Sequence, residues 1–154
     1  MSLIIDIEAE LPVPAHAEQL LEQAVRQTLL QEGLEIGSVA ILLTGDARLR
    51  TLNKQFRGMD QATDVLSFPG DDPFNEGVGI QPHLGDIALA VPYAARQAAV
   101  AGHTLLEELQ LLVVHGTLHL LGFDHSDADE KRAMWSMQEQ VLAQLGLAHV
   151  QPTE

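Results

Sequence analysis

His115-Gly-Thr-Leu-His119-Leu-Leu-Gly122-Phe-Asp-His125 is the stretch on which the reading of this chain turns. Two histidines four residues apart on a helix project from one face, so their ring nitrogens can converge on one ion. Gly122 suits the left-handed conformation that ends a helix and turns the chain back. His125 follows that turn and closes a three-nitrogen site. Three neutral imidazoles leave a position open for water, which is how catalytic zinc is held, whereas structural zinc is fully ligated. Water activated in this way is a nucleophile near neutral pH. The stretch therefore predicts a metal-dependent hydrolase whose site sits where a helix ends.

The same spacing occurs in the metzincin peptidase pattern, where a glutamate follows the first histidine as general base. Here that position is Gly116. Without a carboxylate beside the metal, the peptidase proton shuttle is missing, and peptide hydrolysis becomes the weaker form of the hydrolase reading.

Working outward, Thr104 to Glu107 matches a capping box that starts the helix carrying His115 and His119, about Leu105 to Leu121. Much of that helix is apolar, so it is expected to run through the core. Ser126 to Asp129 matches a second capping box and opens a last helix that Gly146 stops. Towards the N-terminus, Leu3 to Ile7 reads as a strand. Pro12 and Pro14 precede a helix of about Ala15 to Glu32, with Leu20, Leu21, Ala24, Val25, Thr28 and Leu29 on one stripe. Val39 to Leu43 is a second strand, followed by Asp46 as candidate cap of a helix from Ala47 to Phe56. Val65 to Phe68 is a third strand, and Leu84 to Val91 a fourth. Between them, Pro69 to His83 has no periodicity, the pattern of a functional or mobile loop. Pro92 opens a short helix to Val100, stopped at Gly102.

These elements predict an α/β (α+β mixed) fold: one small mixed four-stranded sheet packed with about five helices, as a single domain over residues 1–154. Strand order does not follow from the sequence. At 154 residues and 46% hydrophobic content a sizeable core can form. No apolar run is long enough to cross a bilayer, and the N-terminus lacks the features of a signal peptide. With no cysteine there are neither disulfides nor thiolate ligands. A cytoplasmic protein with no membrane partner is expected.

The formal net charge of −14 opposes nucleic-acid binding over the molecule as a whole. Its distribution matters more. Arg48, Arg50, Lys54 and Arg57 fall in one stretch without an acid. On a helix, Arg50, Lys54 and Arg57 share one face, while Leu49, Leu52 and Phe56 share another. That is a local basic patch on an acidic body, or a solvated helix face.

With these residues assembled, the chain resembles the YbeY family of bacterial endoribonucleases that mature ribosomal RNA. The stretch from His115 to His125 is similar to the family signature. Leu52-Asn53 with Phe56-Arg57, Thr63-Asp64-Val65-Leu66-Ser67-Phe68, and Leu84-Gly85-Asp86-Ile87 agree with it too, so the resemblance spans most of residues 39 to 147. It implies that His115, His119 and His125 hold one divalent metal ion, taken as Zn2+, and that Arg57 is needed for catalysis. It also implies a single-strand-specific endoribonuclease acting in 16S rRNA 3′-end maturation and ribosome quality control. Partners would be single-stranded ribosomal RNA, a ribosomal protein and ribosome-assembly factors. Phe56 and Phe123 stand where tyrosine is common, so neither is given a proton-transfer role. The chemistry is compatible, since a dication and a planar guanidinium both suit the charge that develops on phosphate oxygens. Arg57 would clamp the phosphate, with Arg50 and Lys54 as candidate RNA-binding residues.

Other polar residues read as structural. Glu108 shares the face of His115 and His119, and an exposed helix charge is the preferred reading over a support for the metal site. Asp124 either orients an imidazole or caps a turn. Asp64 and Asp86 fit turn hydrogen bonds. His16, His83, His103 and His149 are expected to face solvent. Aromatic residues are too few for a base-stacking platform. Two alternatives stay open: a metal-dependent hydrolase of another substrate, and a non-catalytic ribosome-assembly factor stabilised by its metal.

Overall fold

The structure is a computed structural model, and it describes residues 2–71 and 81–151. Four strands, β1 (Leu3–Ala9), β2 (Gly37–Thr44), β3 (Val65–Pro69) and β4 (His83–Ala90), form one sheet in the order β1-β2-β4-β3. β1, β2 and β4 are parallel, and β3 runs antiparallel to β4. Among the described residues five helices accompany them: α1 (Ala17–Gln31), α2 (Asp46–Arg57), α3 (Val91–Ala101), α4 (Leu105–Leu120) and α5 (Ala128–Gln144). The mixed sheet with five helices is the architecture expected from the sequence. Most of the Pro69 to His83 loop lies outside the described residues.

Alternation along the strands divides the core in two. Val39, Ile41 and Leu43 of β2, with Ile87 and Leu89 of β4, point into a large cluster shared with α1, α4 and α5. Ala88 and Ala90, on the opposite face, pack with Leu66 of β3 and Leu49 of α2. The sheet thus lies between α2 on one side and the α1, α4 and α5 layer on the other. α4 is buried along most of its length, from Glu108 to Leu120, as its apolar sequence requires. On the apolar face of α2, Leu49 is buried, whereas Phe56 is 65% exposed and packs edge-on with Phe68, ring centroids 5.2 Å apart.

Two caps differ from the expected ones. Gly45, not Asp46, caps α2. The Asp46 carboxylate instead accepts from Tyr93 N–H at 3.0 Å and from the Arg96 guanidinium, tying α2 to α3. Asp127, one residue beyond Ser126, caps α5 and accepts from Glu130 N–H at 2.8 Å. The Ser126 hydroxyl is turned to Glu130 and Asp124 instead. The capping box at Thr104 and Glu107 forms reciprocally, with bonds of 3.1 and 2.9 Å.

Candidate active site

The turn after α4 builds the site. Gly122 has φ 97°, its N–H donates to the His119 carbonyl at 3.0 Å, and Phe123 N–H donates to the Leu118 carbonyl at 3.0 Å. This pair of bonds closes the helix in a Schellman motif. The chain reverses and carries His125 back to the end of α4. Asp124 holds the reversed segment by accepting from His125 N–H at 2.7 Å and from the Ser126 hydroxyl at 3.3 Å. Those bonds, the His125 N–H first, keep its carboxyl below the usual carboxylate range. Its contacts are with the turn.

His115, His119 and His125 each offer a ligand nitrogen, and the three atoms lie within 4.8 Å of one another. The Nε2 atoms of His115 and His119 are 3.2 Å apart. Nitrogens at roughly 2.0–2.1 Å from a tetrahedral zinc stand about 3.3–3.4 Å apart, so the spacing fits such an ion. Protonation states fit as well. Burial first, then the neighbouring imidazoles, lowers the His119 pKa to about 4, so that ring is neutral at pH 7 with a lone pair to give. His115 Nδ1 faces Gln138 Oε1 at 3.0 Å. A carbonyl oxygen there requires Nδ1 to carry the proton and leaves Nε2 as the ligand atom.

Gln138, buried on α5, was not singled out from the sequence. Its only signal there is a polar residue in the buried stripe Met134, Gln138, Val141. Trp135 was missed too: it packs edge-on against His115 and His125, each 5.7 Å between ring centroids. The single tryptophan of the chain thus walls the imidazoles.

Arg57 ends α2, where Gly58 takes φ 72° and reverses the chain. Asn53, buried one turn earlier, donates from Nδ2 to the Gln61 carbonyl at 3.0 Å and ties the helix end to the segment entering β3. Arg57 thereby lines a cavity of about 520 Å³ together with His115, His119 and His125. Thr63, Asp64, Val65, Ser67 and Pro69 form the β3 side of that cavity. Among the described residues the Arg57 guanidinium makes no hydrogen bond or ion pair. Arg50 and Lys54 behave differently: both turn to Asp60, at 2.7 and 3.9 Å, and neither lines the cavity. Arg48 pairs with Glu10 at 3.3 Å. Three of the four cations of the acid-free stretch are thus paired with acids from outside it.

Two expectations for isolated polar residues are corrected. Glu108 is 1% exposed, not a surface charge, and its Oε1 lies 2.5 Å from His103 Nε2, itself buried. Burial pushes the Glu108 pKa up, against the pull of His103. Of the four outlying histidines, His16 and His149 are exposed as expected and His83 is half-exposed beside Ser38 and Asp86, so His103 is the one drawn inside.

A mixed α/β sandwich with three converging imidazoles and an arginine on one cavity defines a protein of the metal-site hydrolase type. Comparison with known proteins specifies it further. A sequence profile described as Endoribonuclease YbeY matches residues 4–146, and this chain belongs to that family of enzymes acting on RNA. An endoribonuclease YbeY of Geobacillus thermodenitrificans is 38% identical over 154 residues, covering 96% of this chain and 99% of the relative. That of Geobacillus kaustophilus is 41% identical over 135 residues, covering 84% and 85%. The solution structure of a Thermotoga maritima protein shares the fold, with a TM-score of 0.59 at 23% identity over 98% of this chain and 99% of that one.

Proposed function

We propose that residues 1–154 act as one metal-dependent, single-strand-specific endoribonuclease domain, that Zn2+ is its ion, and that Arg57 is its catalytic arginine. The observation that carries this is that Arg57 and the three histidines open on one cavity. His115, His119 and His125 would hold the dication, which would supply Lewis acidity to the scissile phosphate and to water. The Arg57 guanidinium binds two non-bridging phosphate oxygens in a fork and stabilises the charge they gain in the transition state. Gln138 fixes the His115 ring, and Trp135 shields the imidazoles from bulk water on the α5 side.

Gly116 supports RNA over peptide as substrate. A Cβ there would stand 3.1 Å from Ser67 Oγ and 3.2 Å from Ile87 Cγ2, so the position is tight for the glutamate a zinc peptidase uses. The substrate in the cell is proposed to be 16S ribosomal RNA near its 3′ end, met on the ribosome with a ribosomal protein and assembly factors, in the cytoplasm. Among the described residues, no helix is long and apolar enough to cross a membrane. The test is cleavage of end-labelled single-stranded and duplex RNA by metal-analysed wild type and Arg57→Ala, with and without chelator. Single-strand cleavage that disappears with chelator and with the substitution supports the reading. No cleavage by folded, fully metallated protein overturns it.

A further inference from the structure

β3 is the last strand of the sheet and is bonded to β4 along one side only. The ladder fixes which of its residues face β4. Ala90 N–H donates to the Asp64 carbonyl at 2.9 Å, and Gly70 N–H donates to the Leu84 carbonyl at 2.9 Å. Hydrogen-bonding residues alternate along an antiparallel strand, so Asp64, Leu66, Phe68 and Gly70 turn their backbone groups towards β4. Val65, Ser67 and Pro69 turn theirs outward, and all three are among the residues that line the cavity with the histidines, as Asp64 and Leu66 are too.

Two of the outward positions have no donor to offer. Val65 N–H is taken by the Asp64 carboxylate at 2.7 Å, and proline has no N–H. Ser67 is the remaining outward donor of β3, with no acceptor among the described residues. Its N–H and its own C=O point the same way, side by side, as in any antiparallel residue facing away from its ladder. Its side chain is engaged elsewhere, the hydroxyl donating to the Gly116 carbonyl at 3.1 Å.

We propose that the Ser67 N–H and C=O form a base-binding notch, where a nucleobase flanking the scissile phosphate hydrogen-bonds through its Watson–Crick edge. This rests on the endoribonuclease reading and supplies a physical origin for single-strand specificity. Each of the four bases carries a donor beside an acceptor on that edge, so the notch tolerates any sequence. In a duplex the same edge is occupied by the pairing partner, so a paired base is rejected. Recognition of splayed bases on this edge is the usual way single-stranded RNA is read. A peptide laid along β3 would need a repeating ladder of donors and acceptors, and it would meet a single donor.

Ser67→Pro tests the notch, because an outward-facing position on an edge strand accepts proline without loss of a ladder bond. Ser67→Ala is its control, lacking the same hydroxyl but keeping the N–H. Binding and cleavage are measured with single-stranded oligoribonucleotides in which one nucleotide at a time is abasic. Wild type and Ser67→Ala are expected to lose about tenfold in affinity at one position. Ser67→Pro is expected to lose a similar factor on intact RNA and to show no further loss at that position. If melting shows that Ser67→Pro does not fold, wild type is tested with N1-methyladenosine, which keeps the ring but blocks the edge; loss equal to the abasic substitution supports the notch. Wild type that cleaves RNA yet tolerates every abasic or edge-blocked position overturns the notch alone. So does a folded Ser67→Pro indistinguishable from Ser67→Ala. Wild type that neither binds nor cleaves RNA overturns the notch and the endoribonuclease reading together.

Discussion

Ser67 and Gly116 meet across the interface of β3 and α4, the serine hydroxyl donating to the glycine carbonyl at 3.1 Å. The contact lies one residue beyond His115, so the edge strand is pinned to the helix beside the converging histidines. The same closeness crowds any side chain at Gly116, where a Cβ would stand 3.1 Å from Ser67 Oγ and 3.2 Å from Cγ2 of the buried Ile87.

Gly116→Ala should therefore lower the melting temperature. Alanine gains about 1 kcal/mol in helix propensity, but overpacking costs about 1–3 kcal/mol, and neither a hydrogen-bonded hydroxyl nor a fully buried isoleucine yields easily. Gly116→Glu should be worse and should acquire no peptidase activity. Thermal melts of both variants, with a peptide-cleavage assay, check this.

Arg57→Ala should leave the melting temperature unchanged, because the guanidinium makes no ion pair among the described residues. Its RNA cleavage should fall about 10²–10³-fold, the size of effect seen when a donor to a developing oxyanion is removed. Arg57→Lys should recover little, since an ammonium cannot bind two oxygens as a fork. Single-turnover kinetics on one oligoribonucleotide would show all three.

Saturating metal should raise the melting temperature of the metal-free protein by about 5–10 °C at a hundredfold excess over Kd, and chelator should reverse it. Gln138→Leu should weaken metal affinity roughly tenfold, because the amide that fixes the His115 ring is gone. Competition titration against a chromophoric chelator measures both affinities.

His119 gives the metal-free protein an acid-labile term. Its folded pKa, about 4, lies below its unfolded value near 6.5. Between these values the unfolded chain binds more protons, so this stability is present above about pH 6.5 and is lost as pH falls towards 4. Urea unfolding of the metal-free protein across that window should show the fall, and His119→Gln should flatten it.

Glu108 has the opposite sign. Burial raises its folded pKa above the unfolded value, so its contribution is full in acid and declines as pH rises through the folded pKa. Glu108→Gln keeps an acceptor for His103 and should gain on wild type from acid towards neutral pH. Glu108→Ala leaves a buried imidazole N–H unpaired and should lose about 1–3 kcal/mol. Chemical denaturation of the three proteins at matched pH decides it.

The convergence of His115, His119 and His125 was legible in the sequence because helix periodicity and one turn glycine place all three. Arg57 was legible only through resemblance, since its arrival at the cavity depends on the Asn53 bond to Gln61 and on strand order. Gln138 and Trp135 sit on α5 and reach the histidines through tertiary packing, which a local pattern does not encode. Glu108 read as exposed because its partner His103 precedes the helix, and burial of that corner depends on how the whole helix enters the core.

The capture of Arg50 and Lys54 by Asp60 has a consequence for how this chain meets polyanions. Binding that displaces condensed counterions weakens steeply with salt, by about 0.7 in the log–log slope for each phosphate neutralised on a single strand. With those two cations already paired and a formal charge of −14, little remains besides Arg57 to displace them, so the slope should be shallow. Long-range attraction is traded for fit after contact, and bulk RNA becomes a poor competitor for the cleft.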